Sequence, residues 1–196
     1  GGGRFDAGML YYFPQIWTSD NTDAIDRSRI QWGTSYGYPI SAMSCHVSVC
    51  PNHQTNRTTP FNTRGAIASL GPTGYELDVT KLTEEDKCNV KTQIDSYKRI
   101  SDLILNGDLY RLRNPFTGCD FCETVISKDK KTVYGVYLAL ENLDGDKVYL
   151  SGLDKNMIYK DVLTGVEYRG ETLMENGISI PALEKYQSYT FELNAI

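Results

Sequence analysis

The feature that most constrains the fold of this chain is a change of texture near Pro115. Before it, apolar runs of strand length alternate with stretches whose apolar residues recur at helical spacing. After it, short β-rich runs follow one another with only turn signals between them. The first pattern predicts parallel β/α units and the second an antiparallel sandwich, so two architectures share one chain of 196 residues. The change falls at Asn114 to Gly118, which gives residues 1–116 and 117–196 as the expected domains.

In the first part, Pro14 to Ser19 reads as a buried strand that delivers Asp20 at its C-terminal end. Asn21 or Thr22 can cap a following helix, with Ile25, the Arg29 stem and Trp32 at helical spacing and Gly33 as its stop. Ala42 to Val49 is a second strand between two prolines, and Pro60 opens a helix through Leu70. Tyr75 to Val79 is a third strand. Thr83 with Asp86 resembles a capping box ahead of a long helix marked by Val90, Ile94, Tyr97, Ile100 and Ile104 and ended by Asn106-Gly107. In the second part the strands fall at 124–127, 132–140, 147–152, 167–169, 178–180 and 188–193, punctuated by Asp144-Gly145, Thr164-Gly165 and Asn176-Gly177.

Composition narrows the function. A net charge of -5 and a pI near 5.1 disfavour nucleic acid, whose phosphates call for a basic patch. No run approaches the roughly 18 apolar residues of a membrane span, so the chain reads as soluble with no membrane partner. Five cysteines form no even, dense framework, and reduced thiols in a cytoplasmic protein are the simpler reading. Cys119 and Cys122 make a lone Cys-x-x-Cys with no second pair at metal-ligand spacing. Cys45, His46, Cys50 and His53 mimic a ligand set, but a turn at Pro51-Asn52 separates them. No metal and no organic cofactor are expected. The chain opens in a glycine run, without Met and without an apolar leader, and reads as an internal or C-terminal piece of a longer polypeptide.

The chemistry concentrates in the opening run from Gly1-Gly2-Gly3-Arg4-Phe5-Asp6 to Trp17-Thr18-Ser19-Asp20. Glycines let backbone amides approach a ligand, and an aromatic segment ending in a carboxylate supplies a wall and a proton carrier. From position alone Asp20 could equally be a helix cap. Asp6 could meet a sugar hydroxyl or pair with Arg4, and Trp17 could stack on a sugar or pack in a core. His46 and His53 read as structural, and Asp23 and Asp26 as solvated first-turn charges.

This run resembles glycoside hydrolase family 36, the α-galactosidases. Cys45 to Gln54, Arg57-Thr58-Thr59-Pro60, Gly74 to Asp78 and Leu109 to Leu112 also resemble stretches of that family, in the same order. The resemblance implies the last β/α units of a (β/α)8 barrel plus a C-terminal antiparallel β-sandwich. It also implies a retaining mechanism in which Asp20 is the general acid/base, while Gly1, Gly2, Asp6 and Trp17 bind the galactosyl unit. The nucleophile of the family lies on an earlier strand, upstream of this chain. The implied partner is a galactosyl oligosaccharide of the raffinose type, and the oligomeric state of the whole protein, a homo-oligomer included, stays open. Two alternatives stand beside hydrolysis, namely galactosyl transfer by the same chemistry and a non-catalytic carbohydrate-binding piece.

Overall fold

A computed structural model describes residues 6–196, so Gly1 and Gly2 lie outside the described residues. The chain divides into two compact units, residues 1–105 and 106–196.

The first unit alternates strands and helices. After a 3-10 turn at Ala7–Tyr11 come helix α1 (Ala24–Thr34), strand β1 (Cys45–Ser48), helix α2 (Phe61–Ala68), strand β2 (Thr73–Glu76) and helix α3 (Glu84–Asn106). β1 and β2 run parallel, in a register that sets His46 against Gly74. The strand expected at 14–19 contracts to a single parallel bridge between Ile16 and Met43, held by Ile16 N–H to Ala42 O (2.8 Å) and Ser44 N–H to Ile16 O (3.0 Å). Pro14 lacks an N–H, which limits how far that ladder can extend. Met43, Cys45, Val47, Ile67 and Leu70 are buried, as are Ile25 and Trp32 of α1. α3 begins as expected, Thr83 Oγ1 accepting from Asp86 N–H (3.1 Å) and donating to Asp86 Oδ2 (3.0 Å). Burial along it is confined to Ile100, Leu103 and Ile104, while Ile94 is exposed.

The second unit holds β3 (Asp108–Arg113), β4 (Asp120–Ile126), β5 (Thr132–Ala139), β6 (Asp146–Val148), β7 (Ile158–Asp161), β8 (Glu167–Arg169), helix α4 (Gly170–Glu175), β9 (Ile178–Ile180) and β10 (Ser188–Ala195). A six-stranded antiparallel sheet has the order β3-β4-β5-β10-β7-β8, and β6 pairs with β9 in a small second sheet. Val148, Ile178, Ile180 and Leu173 pack against Cys122, Ile126, Tyr137, Phe191 and Leu193, so the small sheet and α4 cover one face of the large one. The units divide ahead of the Asn114–Gly118 stretch because β3 pairs with β4, Leu109 opposite Val125 and Arg111 opposite Glu123. β3, β7 and α4 are elements that the strand pattern of the sequence does not contain.

At one end of the large sheet, Tyr137 OH donates to Asp120 Oδ2 (2.8 Å) and Asp146 Oδ2 (3.3 Å), and Arg113 reaches Asp146 Oδ2 (3.2 Å). The same Arg113 donates to Lys147 O (2.9 Å), which ties β3 to β6. Burial together with Asp120 and Asp146 drives the Tyr137 hydroxyl far above its ordinary range, so it remains a donor.

Candidate active site

The segment after the Ile16 bridge carries Trp17 and Asp20 out to the surface. Trp17 is 39% exposed and its other face stacks on His46, ring centroids 3.9 Å apart and 27° between planes. Burial pushes the His46 imidazole below its ordinary value; the Glu76 charge opposes this and Arg27 adds to it. A neutral imidazole under the indole leaves the outer face of Trp17 as an uncharged platform.

Asp20 is exposed, and among the described residues no hydrogen bond or ion pair engages its carboxylate. Its flanks are tied down. Ser19 Oγ accepts from Asn21 N–H (3.1 Å), Asn21 Oδ1 accepts from Asp23 N–H (3.0 Å), and Asn21 Nδ2 donates to Asp26 Oδ2 (2.7 Å). The cap of α1 is neither Asn21 nor Thr22 but Asp23, whose side chain accepts from Ile25 N–H (3.0 Å) and Asp26 N–H (3.0 Å). Capping is therefore not the work of Asp20.

Asp23 and Asp26 are not the solvated pair that their first-turn position suggested. Asp23 is 2% exposed. Arg57 pairs with Asp23 Oδ1 and, at 3.1 Å, with Asp26 Oδ1, and Thr55 Oγ1 donates to Asp23 Oδ2 (2.8 Å). Burial works against the Arg57 charge, but hydrogen bonds and charges from Asp26 and Asp23 outweigh it and raise its pKa. Asn52 completes the brace: its Nδ2 donates to Thr22 Oγ1 (3.2 Å) and Ser48 Oγ (3.3 Å), and its Oδ1 accepts from Gln54 N–H (2.9 Å). The loop after β1 is thus fastened to the residues just past Asp20.

Arg27 escaped the sequence reading, and Asn52 and Arg57 entered it only within stretches that resemble the family, without a task of their own. α1 buries Arg27, Ser28 and Gln31 on the same side as Ile25 and Trp32, a polar stripe that apolar periodicity does not register. Arg57 meets Asp23 across 34 positions, a separation without any local signal.

The other candidates fall elsewhere. Asp6 caps the 3-10 turn at Ala7–Tyr11 by accepting from Gly8 N–H (2.8 Å), and its side chain is exposed. His53 is exposed, Cys45 buried and Cys50 half-buried, and among the described residues no group of three His, Cys, Asp or Glu side chains converges as a metal site. Cys119 is exposed while Cys122 lies in the second core, where burial holds its thiol protonated. A cleft of about 430 Å³ opens past the C-terminal ends of β1 and β2, lined in part by Val49, Phe61, Arg64, Glu76 and Asp78; Asp20 and Trp17 do not line it. Among the described residues no helix is long and apolar enough to cross a membrane.

Comparison with known proteins agrees with this organisation. Residues 1–107 match the Melibiase family model and residues 121–193 the glycosyl hydrolase family 36 C-terminal domain. The chain is 46% identical over 195 residues to the bifunctional alpha-galactosidase/sucrose kinase AgaSK of Mediterraneibacter gnavus, covering 97% of this chain and 21% of that relative. It is 48% identical over 184 residues to alpha-galactosidase AgaA of Geobacillus stearothermophilus, covering 92% of this chain and 25% of the relative. Among solved structures, the galactosidase domain of AgaSK matches with a TM-score of 0.97 at 45% identity, over 100% of this chain and 28% of that one. A Geobacillus stearothermophilus AgaA variant in complex with raffinose matches with a TM-score of 0.96 at 43% identity, over 100% and 28%. The chain spans about a quarter of the length of the relatives it matches. With both of its units matched in order, the end of a catalytic barrel followed by a C-terminal β-sandwich, this chain belongs to glycoside hydrolase family 36.

Proposed function

We propose that the chain is the acid/base-bearing part of a retaining α-galactosidase that removes terminal α-galactosyl units from raffinose-type oligosaccharides. Asp20 protonates the departing glycosidic oxygen and then takes a proton from the water that releases the enzyme-bound galactosyl group. Retaining glycosidases need a second carboxylate as nucleophile, and that group comes from outside these residues. Trp17 offers its outer face to the apolar face of the galactose ring. Asp6, Gly1 and Gly2 complete the sugar contacts. The single observation that carries this reading is the exposed Asp20 carboxylate, uncommitted among the described residues, on a segment braced on both sides, with the capping task already filled by Asp23. The raffinose bound by a relative supports the substrate class. Five cysteines that are all free support a reducing, cytoplasmic setting.

The test is Asp20→Asn in the full-length enzyme. General acid assistance is worth about 10²–10⁴-fold, so cleavage of raffinose should fall by that order, while attack on aryl galactosides with good leaving groups is largely spared. Azide should restore turnover of the aryl substrates, since it needs no general base. Near-normal rates on both substrate classes would remove Asp20 from catalysis.

A further inference from the structure

Arg27 is a buried cation whose acceptors among the described residues are all neutral. It is 3% exposed. Its fork donates to Thr18 Oγ1, to Ser44 O (2.8 Å) and, more weakly, to Cys45 Sγ (3.7 Å), while Nε reaches Gln31 Oε1 (3.3 Å). Among the described residues no carboxylate pairs with it, and the two acids of its own helix, Asp23 and Asp26, are taken by Arg57. A guanidinium removed from water without a counter-charge is a net cost, and a well-packed apolar side chain at this position would avoid it. Departures of this kind from what stability favours are found where a chain serves chemistry.

The fork shows what that cost maintains. Ser44 is the residue whose N–H bonds Ile16 O (3.0 Å), so Arg27 links the strand pairing at Ile16 to the hydroxyl of Thr18, two residues before Asp20. Past Asp20, Asn21 is locked to Asp26 (2.7 Å). The carboxylate thus stands on a segment fixed on its near side by Arg27 and on its far side by the α1 cap network. A lysine would carry the charge but not the planar fork that holds two acceptors at a set angle.

We infer that Arg27, acting through Thr18, is the positioning residue that holds the Asp20 carboxylate where the glycosidic oxygen must receive its proton; the inference rests on the acid/base reading of Asp20. It assigns Arg27 no contact with substrate. A displacement of about 1 Å in a reacting group costs on the order of 100-fold, so small losses of constraint should be visible in the acid-dependent step.

The experiment compares Thr18→Val, Thr18→Ser, Arg27→Lys and Asp20→Asn in the full-length enzyme, each with raffinose and with an aryl galactoside of good leaving ability. Thr18→Val removes only the acceptor hydroxyl at constant shape, so it tests the link even where Arg27→Lys fails to fold. The expected result is a loss of about 10–100-fold in kcat on raffinose for Thr18→Val and Arg27→Lys, with KM little changed. The same variants should lose less than about 3-fold in kcat/KM on the aryl substrate, which reports transfer of the galactosyl group to the enzyme and not the later water step, and Thr18→Ser should recover most of the raffinose rate. Equal losses in kcat/KM on both substrates would make Arg27 and Thr18 merely structural and overturn the inference. An unchanged raffinose rate in Thr18→Val would overturn it too. If Asp20→Asn separates the substrates and Thr18→Val does not, the positioning role alone fails; if Asp20→Asn separates neither, the acid/base reading has failed and takes the inference with it.

Discussion

Asp20 and Asp23 stand three residues apart, and their surroundings give them different tasks. Asp23 is buried, accepts two backbone N–H groups and faces Arg57, whose side chain is 27% exposed. Asp23→Ala should therefore cost about 2–3 kcal/mol, from the lost cap and from an arginine left short of its partner, discounted for the partial exposure of Arg57. Asp23→Asn keeps an acceptor for the cap and should cost about half as much; urea midpoints of the two variants decide, and equal losses would mean that the cap contributes nothing. The sequence made Asp20 conspicuous through its motif and its place after an apolar run. It did not single out Asp23, because Asp, Asn, Thr and Asp at 20–23 are all competent caps. The choice is made by Arg57 and Thr55, more than thirty positions away.

Among the elements, β5 was legible as a central strand because it is apolar on both faces, and it lies between β4 and β10. Its Gly135 faces Phe191 of β10, whose ring occupies the space a side chain would take: a Cβ at 135 would come 2.1 Å from Phe191 Cζ. Gly135→Ala should cost about 1–3 kcal/mol by forcing that buried ring off its seat. Combining it with Phe191→Leu should cost less than the sum of the two single changes, a coupling that a double-mutant cycle of thermal unfolding would measure and that strict additivity would contradict. β7 was illegible for a definite reason. Its inward positions are Tyr159 and Asp161, and the buried Asp161 accepts from Leu163 N–H (2.8 Å) and Thr164 N–H (2.9 Å), so a carboxylate stands where the alternation calls for an apolar residue. α4 spans six residues, too few for a helical period to emerge.

At the scale of the whole chain, the two textures were readable because each unit buries its own kind of pattern, while the seam was not, since β3 looks like a continuation of the region before it. One buried group makes stability depend on pH. Glu123 of β4 is fully buried, and neither of its carboxylate oxygens has a hydrogen-bond partner among the described residues. Burial raises its pKa from 4.5 to about 8, with Arg111 opposing the shift. The folded chain thus keeps this proton while the unfolded chain releases it. The stabilisation is complete below about pH 4.5 and is lost as pH rises to about 8. Thermal midpoints should fall between pH 5 and 8, and Glu123→Gln should flatten that slope; a slope identical in the variant would show that Glu123 does not set it. The sheet order has a consequence for biosynthesis as well. β10, the last of these strands to leave the ribosome, lies between β5 and β7. The β3–β4–β5 meander can assemble as it emerges, but the β7–β8 hairpin has no ladder to join until residues 188–195 are made. Until that moment two strand edges stay open to other chains, so a ribosome that stalls before residue 188 releases a product already marked for chaperones and proteases.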